Sequence, residues 1–84
     1  MRPSGTVRIR VRPYADLGRF FPGAGRIREL EIPAGTTVGA LLAMRQVPAD
    51  ESLTIGINDQ LATRAAELHD GDVMDVVAPM VGGV

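Results

Sequence analysis

Two glycines, Gly82 and Gly83, carry the most unusual chemistry in this chain; they stand in the segment PMVGGV, followed by Val84. Without side chains, an extended backbone at these positions can enter a narrow channel in another protein. Counted from Pro79, the segment can reach roughly 15–18 Å beyond the body of the fold. A terminal glycine carboxylate is the least hindered carboxylate a protein can offer. It can attack a nucleotide α-phosphate to give an acyl-adenylate, which a sulfur nucleophile then converts to a thioester or thiocarboxylate. A glycine pair alone says little. Here it follows a D-G-D turn, an apolar segment DVMDVVAP and a proline, which makes it far more specific.

Side-chain chemistry elsewhere is sparse. His69 is the one histidine and stands beside the Asp70-Gly71-Asp72 turn, where a solvated turn residue is expected; a metal ligand or general base would need partners it lacks. Asp70, Asp72 and Asp75 fit a turn leading into a strand better than a cation site, so no metal is expected. The GAG at 23–25 and PAG at 33–35 lack the lysine and spacing of phosphate-binding loops. The row Arg8, Arg10 and Arg12 reads as a solvated face, with Arg8 and Arg10 candidates for part of a docking surface.

Composition narrows the field further. The chain has 84 residues and formal net charge −1, without the concentrated basic surface of a nucleic-acid binder. A domain of this size buries roughly 60–65% of the surface its unfolded chain exposes, enough for one modest core but not for a deep enclosed pocket. No apolar run spans a membrane and no signal-peptide core follows Met1, so a soluble cytoplasmic protein is expected. Cysteine is absent, which removes disulfides, iron–sulfur clusters and thiol catalysis by this chain. Any sulfur it carried would have to ride on a carboxyl group. Lysine is absent as well, so the chain offers no side-chain amine to its own activated carboxyl end.

The elements that must position the glycines can be read from periodicity. VRIRVR at 7–12 alternates strictly, with Val7, Ile9 and Val11 on one face and the arginines on the other, and Pro13 ends it. A short helical turn from Tyr14 to about Phe20 and a Pro/Gly loop lead to RIRELEIP, whose Glu29 and Glu31 would face the arginines of an antiparallel partner. PAGTTVGALLAMRQVP is the main helix: Thr36 or Thr37 caps it, Val38, Leu41, Leu42 and Val47 form its apolar stripe, and Pro48 stops it. Gly39 within it suggests a close approach by another element. LTIGINDQLA reads as a strand, an Asn58-Asp59 turn and a return strand. The last strand points Val73, Asp75 and Val77 one way and Met74, Val76 and Ala78 the other, as a central strand would. This order predicts an α+β fold of the β-grasp, ubiquitin-like kind: a mixed sheet of four to five strands packed on one main helix. The domain is expected over residues 1–79, with 80–84 a flexible Gly-Gly tail.

From VRIRVRPYADLGRF through PAGTTVGALLAM and INDQLA to LHDGDVMDVVAPMVGG, the chain resembles the MoaD/ThiS group of ubiquitin-like sulfur-carrier proteins. The AP before the tail is similar to the small subunit of molybdopterin synthase, and RQVPADESLTIGIN to the thiamine-pathway carrier. The resemblance implies a carrier or co-substrate rather than an enzyme, with no bound cofactor. A ubiquitin-activating-like adenylyltransferase, using ATP and magnesium, would adenylate Gly83, with Gly82 as its companion. A persulfide donor would supply sulfur, and a sulfur-accepting synthase would use it for a molybdopterin precursor, the thiazole of thiamine or another sulfur metabolite. Val84 departs from the pattern, and the resemblance implies trimming between Gly83 and Val84 by a zinc-dependent JAMM-type peptidase. Such carriers dock through the sheet face near the tail, which here nominates Val77, Pro79, Met80 and Val81. Val77 and Met80 completing the core is the competing expectation. A β-grasp interaction module without sulfur transfer and a ubiquitin-like protein modifier are the alternative functions.

Overall fold

The computed structural model describes residues 5–49 and 51–78. Strand β1 (Thr6–Pro13) forms as its alternation requires: Ile9 and Val11 are completely buried, while Arg8 and Arg10 face solvent. It pairs antiparallel with β2 (Arg28–Pro33), where Leu30 and Ile32 turn inward. The register sets Arg8 opposite Glu31 and Arg10 opposite Glu29. Between these strands a 3₁₀ turn, Ala15–Phe20, folds Leu17 under the sheet, and Phe21 follows it into the core.

Helix α1 (Val38–Met44) is capped by Thr37, whose hydroxyl accepts from the Ala40 N–H at 3.2 Å. Val38, Leu41 and Leu42 are buried against the sheet. The helix ends at Met44, earlier than the stop expected at Pro48. Gln46 takes a left-handed conformation (φ 63°), the Val47 N–H reaches back to the Leu42 carbonyl at 2.9 Å, and the Gln46 N–H reaches Ala43 at 3.0 Å. That pair of bonds is a Schellman termination, and it delivers Val47 into the core. Pro48 therefore follows a helix already closed by its own backbone.

Strands β3 (Thr54–Ile57) and β4 (Gln60–Ala62) form a hairpin over Asn58 and Asp59, both at positive φ as a type I′ turn demands. The chain then crosses the start of α1, where backbone carbonyls take up N–H groups that the first helical turn leaves free. Val38 N–H donates to Ala66 and Gly39 N–H to Arg64, at 2.9 and 2.8 Å. A Cβ on Gly39 would lie 3.3 Å from the Arg64 carbonyl oxygen, which explains the glycine inside a helix. Leu68 is buried, and β5 (Val73–Val77) completes the sheet.

The sheet order is β2-β1-β5-β3-β4, with β5 parallel to β1 and antiparallel to β3. One core fills the space between sheet and helix, with Met74 and Val76 of the central strand at its middle. Among the described residues no helix is long and apolar enough to cross a membrane. Because Gln46 holds a left-handed conformation that costs a residue with a Cβ roughly 1 kcal/mol or more, Gln46→Gly is expected to stabilise the fold by about 0.5–1 kcal/mol. A rise in thermal midpoint of a few degrees, with an unchanged far-UV spectrum, is the measurement that checks it.

Candidate functional site

The site is organised by β5, the last described element before Pro79–Val84. Its entry is pinned by a polar hub. Asp70 Oδ1 accepts from the Arg8 N–H at 2.8 Å, and the Arg8 carbonyl accepts from the Gly71 N–H at 2.8 Å. Gly71, at φ 86°, supplies the left-handed corner that brings both bonds onto β1. Asp72 accepts from the His69 N–H at 2.8 Å and from the Asn58 side-chain amide at 2.9 Å, while Asn58 Oδ1 accepts from the Val73 N–H at 3.0 Å. The aspartates of the D-G-D turn thus serve the backbone. Among the described residues no group of three or more His, Cys, Asp or Glu side chains is arranged to hold a metal ion. The His69 side chain stands mostly in solvent, with Glu67 and Asp72 carboxylates 3.8 and 3.9 Å from its nitrogens.

Past the hub, β5 divides its side chains between two faces. Met74 and Val76 go to the core, while Val73, Asp75 and Val77 join Arg8, Arg10 and Arg12 on the outer face. Val77 therefore does not complete the core; it lies half-buried opposite Thr54 on the face open to partners. Leu61 of β4, 84% exposed, shares this face across Gly56. Thr54, Gly56, Leu61, Asp75 and Val77 line a shallow depression of about 300 Å³ there. Sequence reasoning missed Leu61, because hydrophobic alternation would turn a leucine inward and only the sheet order sets it near Val77.

Arg12 lies beyond the arginine–glutamate ladder, whose register ends with Val11 opposite Arg28. Arg10 keeps its partner, Glu29 at 3.6 Å, whereas Arg12 turns the other way and donates through Nε and Nη2 to both oxygens of Asp75, the second at 3.0 Å. Its Nη2 also lies 3.7 Å from Asp59. The bidentate hydrogen bond to Asp75, followed by that group's charge, pushes the guanidinium pKa above its ordinary value. Arg12 thus ties β1 to β5 across the parallel pairing. The strand exits share an end of the sheet: the Tyr14 N–H, just after β1, donates to the Val76 carbonyl at 2.9 Å. Ala78 is exposed immediately after β5. Pro79, Met80, Val81, Gly82, Gly83 and Val84, which include the expected activation and trimming sites, lie outside the described residues.

Helix, sheet order and the parallel β1–β5 pair define a ubiquitin-like β-grasp protein. Solved structures agree. The Haloferax volcanii HVO 2177 protein superposes with a TM-score of 0.76 at 19% identity, covering 99% of this chain and 92% of that one. Small archaeal modifier protein 1 of H. volcanii gives 0.70 at 17% identity over 88% of this chain and 99% of that one. A chain from the complex of subunits 1 and 2 of the molybdopterin-converting factor of Helicobacter pylori 26695 gives 0.57 at 22% identity, over 92% and 100%. At such identities these similarities establish the fold. The search of curated proteins returns no match. The model of the ThiS family matches residues 17–83, and the chain belongs to that family, within the MoaD/ThiS group of ubiquitin-like proteins. Members of this group are small carrier subunits rather than catalysts.

Arg12→Ala and Asp75→Ala are each expected to lower the thermal midpoint, because either leaves its partner without a counter-charge. The double variant should lose less than the two singles together. A thermal double-mutant cycle checks this, and strict additivity would mean that the pair does not couple the strands.

Proposed function

We propose that this protein is a sulfur carrier whose reactive atom is the carboxyl carbon of Gly83. The observation that carries the reading is the extent of the family match, which runs through Gly82 to Gly83 and stops before Val84. Hydrolysis of the Gly83–Val84 peptide bond, by a JAMM-type peptidase, would expose the Gly83 carboxylate. An activating adenylyltransferase would then direct a carboxylate oxygen onto the α-phosphorus of magnesium-bound ATP, with pyrophosphate leaving. The terminal sulfur of a persulfide displaces AMP from the acyl-adenylate, and a thiol reduces the resulting acyl disulfide to the thiocarboxylate. A synthase takes sulfur from it for a small molecule, the molybdopterin small-subunit role being favoured over the thiazole role.

The chain's own contribution is mechanical and chemical economy. It holds no cysteine to compete for the persulfide sulfur and no lysine to capture the activated carboxyl. The outer face offers Val77 and Leu61 as apolar contacts and Arg8 and Arg10 as charged ones, on the strand that leads to the glycines and its neighbours. A partner docked there holds the carrier by a bonded sheet, which fixes where β5 ends.

Two measurements check the reading. The 84-residue chain and a form ending at Gly83 are incubated with ATP, magnesium, a competent activating enzyme and a sulfur donor. Mass spectrometry should show exchange of oxygen for sulfur only in the form ending at Gly83. Absence of exchange in both overturns the carrier role, and isopeptide linkage to lysines of other proteins assigns the chain to the modifiers instead. Leu61→Asp, at an exposed position, should shift stability by no more than about 0.5 kcal/mol. It should nonetheless raise the KM for the Gly83-terminated form in adenylation about tenfold.

A further inference from the structure

A further cleft among the described residues opens beside Arg12, at the edge of the outer face. It has a volume of about 590 Å³ and lies where the 3₁₀ turn and the end of the β2 approach face each other, lined by Arg12, Tyr14, Gly18, Arg26, Ile27 and Arg28 among others. Among the described residues no acidic side chain lines it. Arg12 is neutralised by Asp75, but among the described residues neither Arg26 nor Arg28 has a carboxylate within 4.0 Å. Two apolar side chains at its walls are conspicuously open: Tyr14 is 47% and Ile27 51% exposed.

Arg28 is a built part of this cleft. Its Nε donates to the Gly25 carbonyl at 2.8 Å, and Nη1 donates to Phe21 at 2.8 Å and Gly18 at 3.1 Å. Three of its five N–H groups therefore fix the guanidinium, and the two on Nη2 remain as oriented donors. Gly18 makes room for them, since a Cβ there would stand 2.7 Å from Nη2. Gly25, at φ 88°, turns the chain so that its carbonyl meets Nε. A fixed guanidinium with two parallel donors suits a carboxylate and loses little entropy on binding one. The neighbouring Arg26 adds a second charge. The cleft opens at the sheet end where Tyr14 is bonded to Val76, just before the segment that begins at Pro79.

We propose that this cleft receives an acidic side chain and an adjacent apolar one from the protein that engages the Gly-Gly segment. The carboxylate bridges Arg26 and Nη2 of Arg28, and the apolar residue packs between Tyr14 and Ile27. The identity of that protein as the activating enzyme rests on the carrier reading; the chemistry of the cleft does not. Charge complementarity selects the occupant, because a cleft with unpaired arginines and no acid repels basic segments and attracts acidic ones.

The test titrates the ¹⁵N-labelled full chain with acetyl-Glu-Leu-Glu-amide, with acetyl-Gln-Leu-Gln-amide and with inorganic phosphate. The glutamate peptide should shift the resonances of Gly18, Gly25, Ile27 and the Arg28 Nε saturably in the millimolar range. The glutamine peptide should not, and Arg26→Glu, with the rest of its spectrum unchanged, should bind the glutamate peptide about tenfold more weakly. No saturable shift at these residues overturns the site, and equal binding by the glutamine peptide or by phosphate overturns its assignment to an acidic peptide. The titration needs no sulfur chemistry. Cleft shifts with no thiocarboxylate formed therefore retain the cleft and reject the carrier, whereas a normal adenylation KM for Arg26→Glu overturns the activating enzyme as the cleft's occupant and retains the carrier.

Discussion

Everything in this structure depends on one pairing, the parallel register of β5 beside β1. Parallel neighbours cannot be joined by a tight turn, so all the chain between them must form the crossover. That crossover supplies the helix, the β3–β4 hairpin and the segment that covers the helix start. The pairing also sets Met74 between Val11 and Ile57, and Val76 between Pro13 and Ile55, with both side chains buried. Polar groups hold it at both ends. Asp70 and Gly71 lock the start of β5 to Arg8, while Arg12 grips Asp75 and Tyr14 grips Val76 near its exit.

With the register fixed, the two faces of β5 have different duties. The inner one contributes to a core that is continuous from the 3₁₀ turn to Leu68. Its outer counterpart carries no core residue and combines the Arg12–Asp75 pair with Val77 and Leu61. A carrier benefits from this separation, because a partner can cover the outer face without disturbing what holds the fold together. Small size points the same way: the described residues offer surface clefts rather than an enclosed active site, and the chemistry proposed at Gly83 would be performed by groups that partners bring.

The long connection between β1 and β2 adds a second surface. A tight hairpin would have sufficed to join antiparallel neighbours; instead residues 14–27 form the 3₁₀ turn and a loop drawn together by Arg28. The guanidinium substitutes for backbone ladder bonds by collecting three carbonyls, and this leaves a positively charged cleft at the end of the sheet where β5 exits.

Most of the fold was legible in the sequence for local reasons. Alternation in VRIRVR, the Asn58-Asp59 and Asp70-Gly71 turns, the Thr37 cap and the glycine at 39 each reflect steric or hydrogen-bonding needs within a few residues or one close contact. The helix end was misplaced because a left-handed Gln46 carries no composition signal, unlike the proline that follows it. Within the site, the sequence placed Arg8, Arg10 and Val77 on facets of strands, but not Leu61 near Val77 or Arg12 on Asp75. Those contacts join positions up to 63 apart, and no period along the chain encodes them. Sequence by itself determined the element types, the central character of β5 and the absence of thiol and side-chain amine chemistry, because these follow from residue type and spacing. Only the tertiary structure decided that Val77 faces outward, that Arg12 pairs with Asp75, and that Arg26 and Arg28 share a cleft without an acid among its described lining residues, because each depends on which segments become neighbours.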